Sequence, residues 1–115
     1  MLIRLAIQDD ADAIWAIIGP TIRAGETYTI DPGITEEAAK ARWLGSDRET
    51  FVAVEDGKIV GTYYIRPNQE GGGSHVANCG YMTGQGHTGR GVARRMCAHS
   101  MDHARARGFR AMVFN

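Results

Sequence analysis

The stretch Thr83-Gly84-Gln85-Gly86-His87-Thr88-Gly89-Arg90-Gly91-Val92-Ala93-Arg94-Arg95 decides how this chain is read. It places four glycines in the eight positions 84–91, between an extended apolar run and a helical one. Downstream, Val92, Met96, Ser100 and Ala104 recur every four residues, with Ala93, Cys97 and Met101 beside them, as one face of a long helix that Gly108 ends. Upstream, His75 to Thr83 reads as a strand, and Gly80 inside it hints at a bulge or a close backbone approach. The first N–H groups of a helix have no partner within it and point outward together, so a turn here can grip a phosphate or pyrophosphate. Glycine permits positive φ and lets an anion approach the main chain. Arg90, Arg94 and Arg95 sit at the positive end of the helix, where each cation opposes the dipole by up to about 1 kcal/mol. A bound anion reverses that penalty. The plainer alternative is a glycine-rich connector with solvated arginines.

Two phosphate motifs compete for the same letters. Gly84 to Gly89 literally matches the dinucleotide pattern GxGxxG. That pattern needs a parallel strand-helix-strand unit with an acid about 20 residues beyond the glycines to hold a ribose. The strand expected at that distance, Phe109 to Asn115, contains no acid. A P-loop is excluded because no Lys-Ser or Lys-Thr follows the glycines.

At the start of the chain, Leu2 to Ile7 alternates as a first strand, with Ile3, Leu5 and Ile7 on its apolar face. Asp9 and Asp10 offer a cap for a helix with Ala11, Ile14, Trp15 and Ile18 on one side, broken by Gly19-Pro20. Residues Thr21 to Gly33 are irregular, polar and aromatic, and suit a binding surface. Thr35 caps a second helix with Glu36 and Glu37 in its first turn, and Gly45 ends it. Thr50 to Glu55 and Lys58 to Arg66 are strands joined by Asp56-Gly57, a strong signal for a two-residue antiparallel hairpin. Pro67 to Ser74, with three consecutive glycines, reads as a loop. The fold class is therefore α/β (α+β): a mixed, largely antiparallel sheet flanked by helices, in the order β-α-α-β-β-β-α-β.

Composition narrows the function. With 115 residues the chain is one domain at most, and thirteen Lys and Arg cancel thirteen Asp and Glu. No overall positive field draws nucleic acid or an anionic membrane, so any anion site is local. No apolar run approaches the roughly 20 residues of a membrane span, and the start lacks a signal peptide's pattern, so a soluble cytoplasmic protein is expected. Cys79 and Cys97 lack metal or redox spacing and read as two buried free thiols, with Cys97 as a covalent nucleophile the sharper alternative. His99 and His103 fall one helical turn apart, but two ligands make a weak metal site; they read as solvated helix residues, and no metal is expected.

These residues resemble the GNAT superfamily of N-acetyltransferases, whose pyrophosphate motif is Arg or Gln, two residues, Gly, one residue, Gly or Ala, at the mouth of a helix. Gly89 and Gly91 match its two small positions, while Gly86 stands where the family has Arg or Gln. The order of elements matches over essentially the whole chain. In detail it is similar to the branch that includes phosphinothricin-type acetyltransferases.

The resemblance implies a transferase that moves an acetyl group from acetyl-CoA directly to a primary amine of a small molecule. N–H groups of Gly89, Arg90, Gly91, Val92 and Ala93 would hold the pyrophosphate. Main-chain groups of Tyr81, Met82 and Thr83 would pair with pantetheine, and Glu26, Thr27 and Tyr28 would face the acceptor. Acetyl transfer needs a held donor, a deprotonated amine, a polarised carbonyl and a protonated leaving thiolate. Glu26 leads as general base, ahead of His75 and Asp31; His87 flanks the cofactor. The family's acid, a tyrosine on a helix after the fifth strand, has no counterpart here. Other readings are a non-catalytic acyl-CoA-binding module or inactive fragment, and a nucleotide-binding oxidoreductase fragment.

Members of the family continue past the fifth strand, so residues 1–115 are expected to form a single domain incomplete at its carboxy-terminal end. An exposed last strand is then expected to favour a homodimer.

Overall fold

The structure is a computed structural model that describes residues 1–27, 30–67, 75–87, 89 and 91–114. Tyr28, Arg90, Asn115 and most of the loop from 67 to 74 lie outside the described residues.

The elements are β1 (Leu2–Leu5), α1 (Ala11–Arg23), α2 (Glu36–Trp43), β2 (Glu49–Glu55), β3 (Lys58–Pro67), β4 (Val76–Thr83), α3 (Val92–Ala106) and β5 (Ala111–Phe114), with a 3-10 turn at Gln8–Asp10. One five-stranded sheet runs in the order β1-β2-β3-β4-β5. The first three pairings are antiparallel and β4–β5 is parallel. A parallel pair needs a crossover, and α3 supplies it.

Period-two alternation along the strands feeds two apolar layers. Val52 and Tyr64 meet Ile14, Ile18 and Ile22 of α1 and Trp43 of α2 on one face. Phe51, Tyr63, Ile65 and Cys79 meet Val92, Met96 and Ala104 of α3 on the other. Helix α2 is also stitched to the sheet by buried polar groups: Trp43 Nε1 donates to Thr62 Oγ1 at 3.0 Å, and Thr50 Oγ1 donates to the Trp43 carbonyl at 2.6 Å. The cap on α2 is as expected, with Thr35 Oγ1 accepting from the Ala38 N–H at 3.1 Å. Asp56 at φ 51° and Gly57 at φ 77° give the left-handed pair that a type I′ hairpin requires.

Three local expectations are corrected. Helix α1 runs through Gly19-Pro20 to Arg23, because proline removes only one N–H near the helix end while Ile22, fully buried, extends the apolar stripe. Strand β1 stops at Leu5 because the Ile7 N–H is taken by Asp10 Oδ2 at 2.8 Å, which turns the chain toward α1. Asp10 therefore serves that turn and an ion pair with Arg4, and makes no side-chain cap on α1. Gly80 marks a close approach as anticipated, but of a side chain: a Cβ there would lie 2.5 Å from the Tyr64 ring.

Candidate cofactor cleft

Strand β4 ends at Thr83, and the chain is then folded back by backbone bonds. The Gly84 N–H donates to the Val60 carbonyl at 2.8 Å, and the His87 N–H to the Gly84 carbonyl at 3.0 Å. Val60 is available because the β2–β3 register shifts from Ala53↔Gly61 to Val54↔Ile59, leaving it as the extra residue of a bulge. Gly86, Gly89 and Gly91 then take φ of 81°, 80° and 80°. Any other residue there costs roughly 1–2 kcal/mol. A Cβ built on each would meet nothing within 4 Å, so these glycines answer a backbone demand and border open space.

Gly91 is the N-cap of α3, left-handed and without a side-chain cap bond. The first N–H groups of α3 are thus left to whatever enters from outside. In front of them lies a cleft of about 520 Å³ lined by Thr83, His87, Gly89, Gly91, Ala93 and Arg94. Four residues expected to hold a cofactor, Thr83, Gly89, Gly91 and Ala93, are gathered here. The Val92 side chain turns inward and is buried, which leaves only its main chain to a ligand. Arg94, expected only as part of a positive helix end, faces the cleft, while the neighbouring Arg95 donates to the Met1 carbonyl at 3.3 Å.

The edge of β4 continues the site. Gly80 to Thr83 pair with β3, but the β5 register covers only Val76 to Cys79. On the β5 side, the main chain of Tyr81, Met82 and Thr83 has no strand partner among the described residues. Their side chains are otherwise engaged. Met82 packs toward α1, and the Tyr81 hydroxyl shares a 2.6 Å hydrogen bond with Ser100 Oγ. Burial raises the Tyr81 hydroxyl pKa well above the ordinary phenol range.

The candidate bases are dispersed. Glu26 is exposed just past α1, where its N–H bonds the Thr21 carbonyl at 3.1 Å and Gly25 holds φ 71°. Thr27 is half-buried beside it. Asp31 Oδ1 accepts the Gly33 N–H at 2.8 Å, so that carboxylate closes a turn. His75 is exposed at the opposite end of β4, about 26 Å of strand from Thr83. The structure does not bring it to the cleft.

The α3 histidines are not solvated, which corrects the sequence reading. His99 Nδ1 lies 2.6 Å from the Tyr63 hydroxyl, and His103 Nε2 lies 3.1 Å from Glu49 Oε1. Both rings pack edge-on against Phe51. Burial, then the neighbouring His103, lowers the pKa of His99. Glu49 is buried in part, which opposes its charge, but His103 and Arg107 outweigh this and hold its carboxyl below the usual range. Cys79 is buried as expected, and burial pushes its thiol up to about 11; Cys97 is only half-buried. Among the described residues, no group of three or more His, Cys, Asp or Glu is placed to hold a metal ion, and no helix is long and apolar enough to cross a membrane.

A second opening, of about 500 Å³, lies between α1 and α2, lined by Asp9, Asp12 and Glu37 around Lys40. The Lys40 ammonium is taken by Asp12 at 2.6 Å and Glu36 at 2.7 Å. An acidic lining around a neutralised lysine does not suit an anionic cofactor.

The mixed sheet and crossover helix define an α/β fold in which a glycine-built helix mouth without a side-chain cap stands beside a stretch of β4 that has no β5 partner among the described residues. Comparison with known proteins gives the family. The sequence model of the Acetyltransferase (GNAT) family matches residues 8–115, and the chain belongs to that family. Its structure superposes on a GCN5-related N-acetyltransferase from Kribbella flavida with a TM-score of 0.89 at 38% identity, covering 96% of this chain and 68% of that one. It is 29% identical to the N-acetyltransferase aca1 of Schizosaccharomyces pombe over 82% of this chain, and spans about half, 53%, of that protein's length. A GNAT phosphinothricin acetyltransferase from Sinorhizobium meliloti, solved in complex with acetyl-CoA, shares the fold at a TM-score of 0.83 and 17% identity, covering 98% of this chain and 64% of that one.

Proposed function

We propose that the chain binds acetyl-CoA in the cleft at the mouth of α3 and transfers the acetyl group directly to a primary amine of a small molecule. The observation that carries this reading is the uncapped, glycine-built start of α3 standing next to Tyr81 to Thr83 of β4, which have no β5 partner among the described residues. The acetyl-CoA complex of the Sinorhizobium meliloti relative supports the choice of cofactor.

In this reading the N–H groups of Gly89 to Ala93 hold the diphosphate, with Arg94 adding positive charge from the cleft wall. Gly91 and Ala93, which flank the first residue of α3, offer a second register for the family's two small positions. That register puts Thr88 first, so neither alignment supplies the family's Arg or Gln. Pantetheine lies along the edge of Tyr81, Met82 and Thr83, and a backbone N–H near Met82 polarises the thioester carbonyl. Glu26, directly or through water, takes the ammonium proton of the acceptor. The amine nitrogen then forms the bond to the acetyl carbon as the carbon–sulfur bond breaks, and solvent protonates the thiolate. Donor and acceptor held together lose the entropic barrier of a bimolecular encounter.

A thiol-release assay with acetyl-CoA and a panel of small amines tests the reading. Amine-dependent release of CoA, reduced by Glu26→Gln, is the expected result. Acetyl-CoA binding without release for any amine supports an acyl-CoA-binding module instead.

A further inference from the structure

Three residues of α1, spaced four apart, form a device that the acetyl-transfer reading leaves unused. Gly19 has no side chain, and the Trp15 ring lies over it: a Cβ on Gly19 would stand 3.1 Å from two ring carbons. Arg23 then stacks on the same ring, its guanidinium carbon 5.2 Å from the ring centroid. From that platform one guanidinium nitrogen donates to two carbonyls beyond the helix, Pro32 at 2.7 Å and Ile34 at 2.6 Å. Both carbonyls belong to the connection between α1 and α2, which carries Glu26 and Thr27.

We infer that Trp15, Gly19 and Arg23 form a latch that fixes the α1–α2 connection and so positions the acceptor side of the site. Its far end is already shaped to receive the guanidinium. The Ile34 N–H bonds the Asp31 carbonyl at 3.0 Å, the Gly33 N–H bonds Asp31 Oδ1 at 2.8 Å, and Ile30 is buried. The near end is fixed by the α1 terminus, where Gly25 and Glu26 fold back on Ile22 and Thr21. Glu26 at one end and Asp31 to Ile34 at the other are therefore each held by local hydrogen bonds, and Arg23 clasps the far end to α1. A guanidinium can stack on a ring and donate in plane to two acceptors at once, whereas a lysine ammonium is a point donor without a stacking face. Arg23 is a positioning residue, and its role toward the acceptor rests on the acetyl-transfer reading above.

The test uses the full chain carrying Arg23→Lys and, separately, Gly19→Ala. Alanine is the better helix former, so Gly19→Ala keeps α1 intact while displacing the Trp15 platform. Hydrogen exchange by mass spectrometry is expected to rise at least about 10-fold in peptides covering residues 24–34 in both variants, with β2, β3 and α3 unchanged. For the amine turned over fastest by the parent chain, the acceptor KM is expected to rise about 5-fold or more, while acetyl-CoA affinity stays within about 2-fold. Unchanged exchange in both variants overturns the latch. Raised exchange with an unchanged acceptor KM overturns its part in acceptor positioning. Failure of the parent chain to acetylate any amine would overturn the acetyl-transfer reading, and the exchange result would stand apart from it.

Discussion

The two ends of α3 are built on opposite principles. Its second half is tied to the sheet by side chains: His99 to the Tyr63 hydroxyl, Ser100 to the Tyr81 hydroxyl, and His103 with Arg107 to Glu49. Its last carbonyls are closed in part by the Arg107 N–H to His103 and the Gly108 N–H to Arg105, with Gly108 at φ 85°. Its first turn has no side-chain cap, opens on the cleft, and carries Arg94 on the cleft wall. A helix can hold its N-terminal N–H groups ready for an anion when its packing and its other end keep it in place. Side-chain pinning at the rear and a mouth without a side-chain cap are the two halves of the proposed site.

That contrast predicts which substitutions cost affinity and which cost stability. Gly91→Val should have the largest effect, because a β-branched residue resists φ 80° and crowds the mouth. Acetyl-CoA binding measured by calorimetry should weaken about 100-fold, close to 2.7 kcal/mol, with the circular dichroism spectrum retained. Tyr63→Phe should do the reverse, costing about 1–2 kcal/mol in urea unfolding through the lost hydrogen bond to His99, with affinity changed less than about 2-fold. Arg94→Ala should weaken acetyl-CoA binding by about 5–10-fold, and the loss should shrink at high salt because the arginine is exposed.

The smallest effect expected is on pH. His99 has a lowered folded pKa, so it binds a proton more readily unfolded than folded. Its neutral, buried form contributes stability above its unfolded pKa of about 6.5, and that contribution is lost as pH falls from there through the folded value. The Glu49 pairing adds stability that is lost only at lower pH, as its own depressed pKa is crossed. Thermal denaturation should therefore show a decline between about pH 7 and 5 that flattens in His99→Gln.

Much of this arrangement could be read from local chemistry. The Asp56-Gly57 hairpin, the Thr35 cap and the Val92-Met96-Ser100-Ala104 stripe each depend on residues within a few positions of one another, and each stands where expected. The glycine turn was legible for the same reason. What stayed hidden depends on contacts distant in sequence. His99 and His103 look solvated until Phe51, Tyr63 and Glu49 arrive from β2 and β3, and Pro20 looks terminal until Ile22 finds the core. The Arg23 latch needs the carbonyls of Pro32 and Ile34, which no side-chain pattern marks. His75 lies beside a glycine loop in sequence, yet the length of β4 separates it from the cleft.

Titration calorimetry of the full chain against acetyl-CoA, CoA and NAD decides whether the glycine mouth of α3 is a CoA diphosphate cradle. A cradle there binds acetyl-CoA and CoA one to one with similar affinity, loses most of that affinity in Gly91→Val, and is not competed for by NAD. Binding of NAD without binding of CoA, or acetyl-CoA binding untouched by Gly91→Val, would contradict it.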